Sequence, residues 1–324
     1  MEKKKSTIER VVGAGPENEE VLLKHFKQIF DTRFLIKVGD QQIEASKSPE
    51  LEQCIKDISS RMHEFLAEYD ATALDIRPDQ VHFIDKDKVP KDLLDQILPK
   101  DGTLASFNLD HQSISVFSSE GQGSKRSRAK TVSHEMIHFN SFASMQIRFT
   151  EGAEQGTIQN RRLGIQVQSG GLVHFSGLNE AVTEELAIRF AMKHFTDMAY
   201  TSEEVQKDLE KVQSDIVLLE RILPESPNDY VRGVRKARID ELRSNAILGD
   251  SKSYPNEREY LYQMIDEIFK ANKDQFKDKD DVFKLFVNAM LKGRLLPLAR
   301  IIDKTYGRGS FSRLTDQVQI LAKL

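Results

Sequence analysis

The sequence SHEMIH, from Ser133 to His138, places two histidines four residues apart with a glutamate directly after the first. On an α-helix, residues i and i+4 lie on one face about one turn apart, so His134 and His138 could bind one cation. Imidazole nitrogens are favoured ligands of zinc. Glu135 is rotated by about 100° from His134, which would put it beside the metal as a general base toward a metal-activated water.

The opposite side of this predicted helix is apolar. Val132, Met136, Phe139 and Ala143 follow the helical period on that side, so we expect them to be buried and the histidines to face a cleft. Without a third ligand, the same pattern also fits two partly buried histidines on an ordinary amphipathic helix. The third ligand therefore decides between these two interpretations.

A catalytic zinc site has three protein ligands and one open position. A third histidine six residues beyond the second, the spacing of one class of zinc enzymes, is excluded because that residue is Ser144. His174 and His194 are candidates. The segment NEAVTEE is a stronger one, because Glu180 and Glu184 are also i and i+4. With Glu180 as ligand, Glu184 could accept the second N–H of a ligating histidine. The alternative for this pair is an exposed acidic helix start.

Together, HEMIH and NEAVTE resemble the two motifs of the gluzincin (thermolysin-like) metallopeptidases, whose second motif reads Asn-Glu-x-x-Ser-Asp. The resemblance implies that His134, His138 and Glu180 bind one Zn²⁺ ion. It implies Glu135 as the catalytic base and Glu184 as the hydrogen-bond partner of His134. It also implies an α+β fold with a zincin-like core, in which a small mixed sheet holds extended peptide along its edge strand and the two motif helices follow.

The resemblance covers residues 113–195, and SISVF (Ser113–Phe117) is the expected edge strand. The motifs are further apart than in the family, with a hairpin-like insertion between them. Asn140 occupies a usually apolar position, and Glu184 replaces the usual aspartate.

A looser similarity concerns SYPNERE, which resembles a helix start in minimal bacterial gluzincins. It implies that Tyr254 approaches the cleft and stabilises the oxyanion of the reaction. His174, Tyr260 and Tyr262 compete for this role, and a tyrosine that simply packs in the core is the plainer alternative.

The composition narrows the class of protein. The chain of 324 residues is 39% hydrophobic and 30% charged, with no apolar run long enough to cross a bilayer. A net charge of -4 gives no general attraction to nucleic acid or anionic lipid, so we expect neither as a partner. Cys54 is the only cysteine, which excludes a disulfide framework. With no apolar segment behind the N-terminal lysines, we expect a cytoplasmic protein.

Three regions follow from patterning along the chain. Residues 1–15 are expected to be a mobile tail, 16–195 the zincin-like catalytic core, and 196–324 an all-helical C-terminal region. Within the last region, apolar residues at alternating four- and three-residue steps form a heptad seam: Val205, Leu209, Val212, Ile216, Leu219 and Leu223. This seam predicts a helical hairpin at about 202–248, covered by its own second helix or by another chain.

Shorter features complete these expectations. RFLIKVGDQQIEA predicts a hairpin around Gly39-Asp40, and RRLGIQVQSGGLVHFSG predicts another that turns at 169–171. Ser48 and Pro49 are typical of a helix start, and Cys54 is expected to pack on the apolar stripe of that helix without a nucleophilic role. The basic segment SKRSRAK (Ser124–Lys130) is interpreted as a solvated loop that leads into a helix.

Two functions fit these features. The first is zinc-dependent hydrolysis of peptide or protein substrates, with Glu135 as the general base. The second is a partner-binding helical protein that uses the 202–248 hairpin and keeps a vestigial or structural metal site. Retention of Glu135 argues for the first, because a purely structural zinc needs no base.

Overall fold

The computed structural model describes residues 8–12, 16–31, 37–38, 41–42, 44–89, 104–117, 123–148, 157–169, 171–226, 228–249 and 253–314. The fold is α+β, as the sequence predicted. The helices, in chain order, are α1 (Pro16–Asp31), α2 (Pro49–Ala67), α3 (Lys125–Asn140), α4 (Ser176–His194), α5 (Ser202–Ile222), α6 (Asp229–Leu248), α7 (Pro255–Ala271), α8 (Lys279–Lys292) and α9 (Leu295–Tyr306).

The strands form three small sheets among these residues. They are β1 (Ile8–Val12), β2 (Lys37–Val38), β3 (Gln41–Gln42), β4 (Val81–Ile84), β5 (Ala105–Asn108), β6 (Ser113–Phe117), β7 (Ala143–Arg148), β8 (Thr157–Leu163), β9 (Gln166–Ser169) and β10 (Leu172–His174). β2 and β3 pair antiparallel, as expected for a hairpin whose two turn residues, 39 and 40, lie outside the described part of the chain.

A three-stranded sheet in the order β4-β6-β5 packs on α3. β4 runs parallel to β6, and β5 runs antiparallel to it. The expectation that Ser113–Phe117 is the edge strand is wrong, because β6 pairs on both sides and all five of its residues are buried. A continuously buried run is typical of a central strand. Among the described strands, β5 is the edge that lies beside α3.

The second sheet has the order β1-β7-β8-β9-β10. β1 corrects the expectation of a mobile tail over residues 1–15, because Ile8–Val12 pairs in parallel with β7. Ile8 and Val11 are buried in a small apolar cluster that includes Met145, and this burial stabilises the strand. The other residues of the expected tail lie outside the described residues.

Strands β7 to β10 occupy the sequence between the two motif helices. They form an antiparallel meander with one more turn than the expected single hairpin. The additional turn contains Gly164, whose φ is +59°. A Cβ atom at Gly164 would lie 2.3 Å from Asn179 Oδ1, so only glycine fits there. This turn packs directly against the start of α4.

Helix α2 begins as the sequence predicted. Ser48 is the N-cap, its Oγ accepts a hydrogen bond from the Leu51 N–H at 3.2 Å, and Pro49 opens the first turn. Cys54 is 1% exposed within the apolar stripe of this helix, and burial raises the pKa of its thiol to about 12. The thiol is therefore protonated and packs as a small apolar side chain.

Helices α5 and α6 form the helical hairpin expected from the heptad pattern. They run antiparallel, because Arg126 of α3 contacts both Asp208, near the start of α5, and the carbonyl oxygen of Ala246, near the end of α6. The buried seam contains Ile216 from α5 with Ile239 and Leu242 from α6. Among the described residues, no helix combines the length and apolar character needed to cross a bilayer.

The expectation that the charges of SKRSRAK are solvated is wrong for Arg126 and Lys130, which are 8% and 2% exposed. Arg126 lies in the first turn of α3, and its Nη2 is 2.5 Å from Asp208 Oδ2 in α5. It also donates a hydrogen bond to the carbonyl oxygen of Ala246 in α6. Buried charges require such partners, and these come from helices far along the chain.

The N-terminal end of α3 is capped by a side chain of its own and by one from α5. Ser124 is the N-cap, and its Oγ accepts from the Ser127 N–H at 3.1 Å. The backbone N–H groups of Lys125 and Arg126 donate to the two carboxylate oxygens of Glu204 at 3.0 and 3.2 Å. The first turn of a helix leaves such N–H groups without intrahelical partners, and an acidic side chain there is also favoured by the helix dipole.

Candidate metal centre

Two packed helices bring the motif residues together. His134, Glu135 and His138 lie in the C-terminal half of α3, and Glu180 and Glu184 lie in the N-terminal half of α4. The expected apolar back is also buried: Val132, Met136, Phe139 and Ala143. Ala143 belongs to β7 rather than to the helix, since α3 ends at Asn140.

Three ligand atoms converge at the centre of this site. His134 Nε2 is 3.2 Å from His138 Nε2 and 3.3 Å from Glu180 Oε2, and His138 Nε2 is 3.2 Å from the same oxygen. Within the described part of the chain, this is the one group of three or more histidine, cysteine or acidic side chains that could hold a metal ion. The three residues are those that the sequence motifs predicted as ligands.

Neighbouring side chains contact the second nitrogen of both rings. Glu184 Oε2 is 3.0 Å from His134 Nδ1, so Nδ1 donates to this carboxylate and Nε2 is the nitrogen left for a metal ion. Thr183 Oγ1 donates to the Asn179 carbonyl oxygen at 2.9 Å and lies 3.5 Å from His138 Nδ1. Both Nε2 atoms therefore lie at the centre, where they could bind a metal ion.

The triangle fits a tetrahedral zinc ion. Bonds of about 2.0–2.1 Å in tetrahedral geometry separate ligand atoms by about 3.3–3.4 Å, close to the distances measured between these three atoms. Without a metal, a proton on His134 Nε2 can bridge to Glu180 at this distance, and a cation at the centre would replace that proton and bind all three atoms. The donor set, two imidazoles and one carboxylate, is one that catalytic zinc sites use.

The electrostatics of the site favour positive charge. Burial lowers the pKa of His134, but the hydrogen bonds of its ring with Glu180 and Glu184 outweigh burial and raise the pKa to about 10. Burial raises the pKa of Glu180, but the charge of His138 and the hydrogen bonds from both rings outweigh it and hold this pKa well below its usual range. A metal ion would supply the same positive charge.

Glu135 stands beside the triangle without joining it. It is 6% exposed, and burial raises the pKa of its carboxyl above the usual value, although the nearby charges of His134 and His138 oppose this shift. The backbone N–H of Phe107, in edge strand β5, donates a hydrogen bond to the carboxylate. A buried carboxylate with a raised pKa is more basic than a solvated one, as a general base requires.

Tyr254 reaches the site from the start of α7. Its ring stacks on His134 with the centroids 5.9 Å apart and the planes 16° apart. Its hydroxyl donates a hydrogen bond to Glu180. Burial raises the pKa of the Tyr254 hydroxyl, and the negative charge of Glu180 raises it further. The backbone φ of Tyr254 is +53°, an uncommon conformation for a residue other than glycine and one held here by the surrounding contacts.

The competing residues lie elsewhere. The Tyr262 hydroxyl bonds to Glu185, outside the triangle, and Tyr260 lines a separate cavity of about 330 Å³ between α7 and α9. His194 is fourteen residues beyond Glu180 on α4, or about 21 Å along the helix, and its Nδ1 faces Arg61 at 3.4 Å. His174, in β10, is not in the triangle either.

Two contacts of the motif helices were missed by sequence reasoning. Lys130 is buried and pairs with Glu184, and Thr183 contacts the ring of His138. A signal for the first existed: Lys130, His134 and His138 are spaced i, i+4 and i+8, on one helix face.

The side chain of Asn140, which stands at a usually apolar position, makes its hydrogen bonds with backbone groups. Asn140 Oδ1 accepts a hydrogen bond from the Leu74 N–H at 2.6 Å, and its Nδ2 donates to the Met136 carbonyl oxygen at 2.7 Å. Asn179, which precedes Glu180, also bonds to a backbone group: its Oδ1 accepts a hydrogen bond from the Ile165 N–H at 2.9 Å. Both asparagines fix backbone segments against the motif helices.

Comparison with known proteins identifies no relative: no family model, no curated protein and no solved structure matches this chain. A functional conclusion therefore rests on the residues of the site and their geometry.

Proposed function

We propose that this protein is a zinc metallopeptidase of gluzincin type with a zincin-like core. The observation that carries the proposal is the triangle of His134 Nε2, His138 Nε2 and Glu180 Oε2, with sides of 3.2–3.3 Å and with Glu135 beside it. A structural site would have no use for a buried, basic carboxylate next to its ligands.

When bound, a zinc ion would polarise the scissile carbonyl and lower the pKa of the attacking water. Glu135 takes a proton from this water and passes it to the leaving amine. Burial suits Glu135 to both steps, because a raised carboxyl pKa brings the group closer to neutral pH. Glu184 holds the His134 ring through its Nδ1–H and so keeps Nε2 on the triangle.

The substrate lies along β5 as an additional antiparallel strand. β5 pairs with β6 on one side, and the Phe107 N–H on its other side points to Glu135, so the free edge of β5 faces the base. A peptide in extended conformation would use the backbone groups of this edge and bring one carbonyl group close to Glu135. This arrangement favours peptide and protein substrates over small molecules.

Tyr254 donates a hydrogen bond to the oxyanion that forms during attack. Its hydroxyl already lies at the triangle, on Glu180, and its raised pKa keeps the donor proton in place at neutral pH. Stacking on His134 fixes the ring beside the place where the reacting carbonyl would lie.

Zinc content and hydrolysis of a mixed peptide library test this proposal together. We expect one zinc ion per chain, hydrolysis that a chelator abolishes and zinc restores, and no hydrolysis by Glu135→Gln at unchanged zinc content. A chain that binds no zinc, or a Glu135→Gln variant as active as the parent, would refute it.

Partner binding through the α5–α6 hairpin is the second candidate function. Apolar side chains are exposed on the part of the hairpin furthest from α3, with Tyr230 79% and Val234 53% exposed on one face of α6. In this alternative the metal site is vestigial or structural. A protein that holds zinc but hydrolyses no peptide in the library would support it.

We place the protein in the cytoplasm as part of the main proposal. The single cysteine, Cys54, is buried and free, so no described part of the fold depends on an oxidising environment.

A further inference from the structure

Lys130 is a buried lysine on the metal-binding face of α3. It is 2% exposed and stands one helical turn before His134, which in turn stands one turn before His138. Lysine is almost never fully buried unless it is paired. The charge of Lys130 therefore needs a partner inside the protein.

A continuous chain of contacts links Lys130 to the site. Its Nζ pairs with Glu184 Oε1, and the other carboxylate oxygen, Oε2, accepts from His134 Nδ1 at 3.0 Å. The backbone N–H of Ser253 also donates to Oε1, at 3.1 Å. The side chain of Glu184 is 1% exposed, so water does not compete for its carboxylate. The three donors, Lys130 Nζ, His134 Nδ1 and the Ser253 N–H, therefore fix its position.

When His134 binds a metal ion as a neutral ring, Lys130 is the cation that contacts the Glu184 carboxylate. A buried carboxylate without a cation is strongly unfavourable, and one neutral backbone N–H does not compensate its charge. Both side chains of the Lys130–Glu184 pair are almost fully buried, so each is the other's charge partner within the protein. Removing the ammonium group would leave Glu184 free to turn toward another donor and away from the ring of His134.

We propose that Lys130 is a positioning residue of the metal centre, which holds Glu184 in the orientation that directs His134 Nε2 at the ion. The inference rests on the proposed zinc site and adds a residue outside its ligands and base. Lys130 does not touch the metal or the substrate. It acts through Glu184, and its effect should appear in metal affinity.

The test compares Zn²⁺ dissociation constants, measured by competition with a chromophoric chelator, in folded variants whose structure is checked by circular dichroism. We expect Lys130→Met to weaken Zn²⁺ binding by about 10- to 100-fold, the usual effect of losing a partner that orients a ligating histidine. The visible absorption of the Co²⁺-loaded variant should also change, because the orientation of one ligand is altered. An unchanged dissociation constant and an unchanged Co²⁺ spectrum would overturn the inference.

Arg126→Met is the matched control. Arg126 lies one turn before Lys130 on the same helix, is also buried and is also ion-paired, but its partner Asp208 is in α5, away from the triangle. We expect this variant to lose stability without a change in Zn²⁺ affinity. If both variants weaken zinc equally, the effect comes from general loosening of α3 and Lys130 has no specific role.

A double variant covers the case in which Lys130→Met does not fold. Lys130→Met with Glu184→Gln removes both charges, so no unpaired carboxylate is left buried, and it is compared with Glu184→Gln alone. We expect both to bind Zn²⁺ equally, because Lys130 acts only through Glu184. A further 10-fold or greater loss in the double variant would contradict this. If the parent chain itself binds neither Zn²⁺ nor Co²⁺, the proposed function fails; if only the variants behave differently from expectation, the inference about Lys130 fails.

Discussion

Replacing Glu180 by alanine removes one of the three atoms of the triangle and its only negative charge. Glu180 Oε2 is 3.2–3.3 Å from both Nε2 atoms, and no other described carboxylate lies in a position to replace it. Glu184 is held on the far side of His134 by Lys130 and Ser253. We therefore expect the variant to keep two imidazole ligands and to gain no third ligand from the described residues.

The size of the effect follows from the number of ligands. Structural zinc sites with four ligands bind the ion by about 10–16 kcal/mol, so one ligand contributes on the order of 2.5–4 kcal/mol, or roughly 10²- to 10³-fold in affinity. Because Glu180→Ala also removes the negative charge of the carboxylate, we expect its loss of zinc affinity at the upper end of this range. Glu184→Ala removes only the partner of a ligating ring and should cost about 10- to 100-fold. Zinc should thus leave Glu180→Ala on dialysis and remain partly bound in Glu184→Ala.

The assay measures zinc per chain after dialysis, together with the dissociation constant from chelator competition. Glu185→Ala is the matched control, because Glu185 is buried on the same helix but pairs with Arg189 and Arg258, outside the triangle. It should lose stability and keep its zinc. If Glu184→Ala empties the site while Glu180→Ala stays loaded, Glu184 is the ligand. If both stay loaded, the ligand set is different and the gluzincin interpretation fails.

Four further predictions concern single side chains. Glu135→Gln should keep zinc and lower peptide hydrolysis by about 10²-fold or more, measured as kcat, and an equal loss of zinc would contradict its role as base. Tyr254→Phe should also keep zinc and lower kcat by about 10²- to 10³-fold, the usual effect of removing an oxyanion donor; full activity would return the tyrosine to a packing role. Asn140→Leu should lower the free energy of unfolding by about 1–3 kcal/mol in urea titration, because the buried Leu74 N–H loses its acceptor, and an unchanged midpoint would show that this hydrogen bond contributes nothing. Cys54→Ser should remain fully active. The folded thiol has a raised pKa, so its contribution to stability is present below its ordinary value near 9 and is lost as the pH rises toward about 12; rapid alkylation of the folded protein at pH 8 would contradict this.

Local patterns predicted the parts of the fold that depend on neighbours in sequence. The i, i+4 spacing of each motif places its side chains on one helix face, and Ser48 caps α2 through the N–H three residues later. The heptad steps of α5 predicted its pairing with α6 because the apolar seam needed a cover. In each case, the information lies within one or two helical turns.

Features that depend on distant pairing were not predictable in this way. β6 and β5 are both short β-rich runs, and only pairing with β4 makes β6 the central strand and β5 the edge. β1 is five residues long and becomes a strand because β7, more than a hundred residues later, offers an open side. Arg126 and Lys130 look like surface charges because their partners come from α4, α5 and α6. These contacts are non-local, so composition and periodicity carry no record of them.

The capping of α3 by Glu204 has a practical consequence for protein engineering. The α5–α6 hairpin looks like a removable appendage, yet it supplies the acceptor for two N–H groups at the start of α3, the helix that carries His134 and His138, and the partners of Arg126. Excising residues 202–248 would therefore leave a buried guanidinium and a frayed helix end two turns before His134. A shortened chain that fails to bind zinc would report this loss of support for α3 and not a missing ligand, so studies of the hairpin need point substitutions at its exposed end, such as Tyr230→Ser, in the full-length protein.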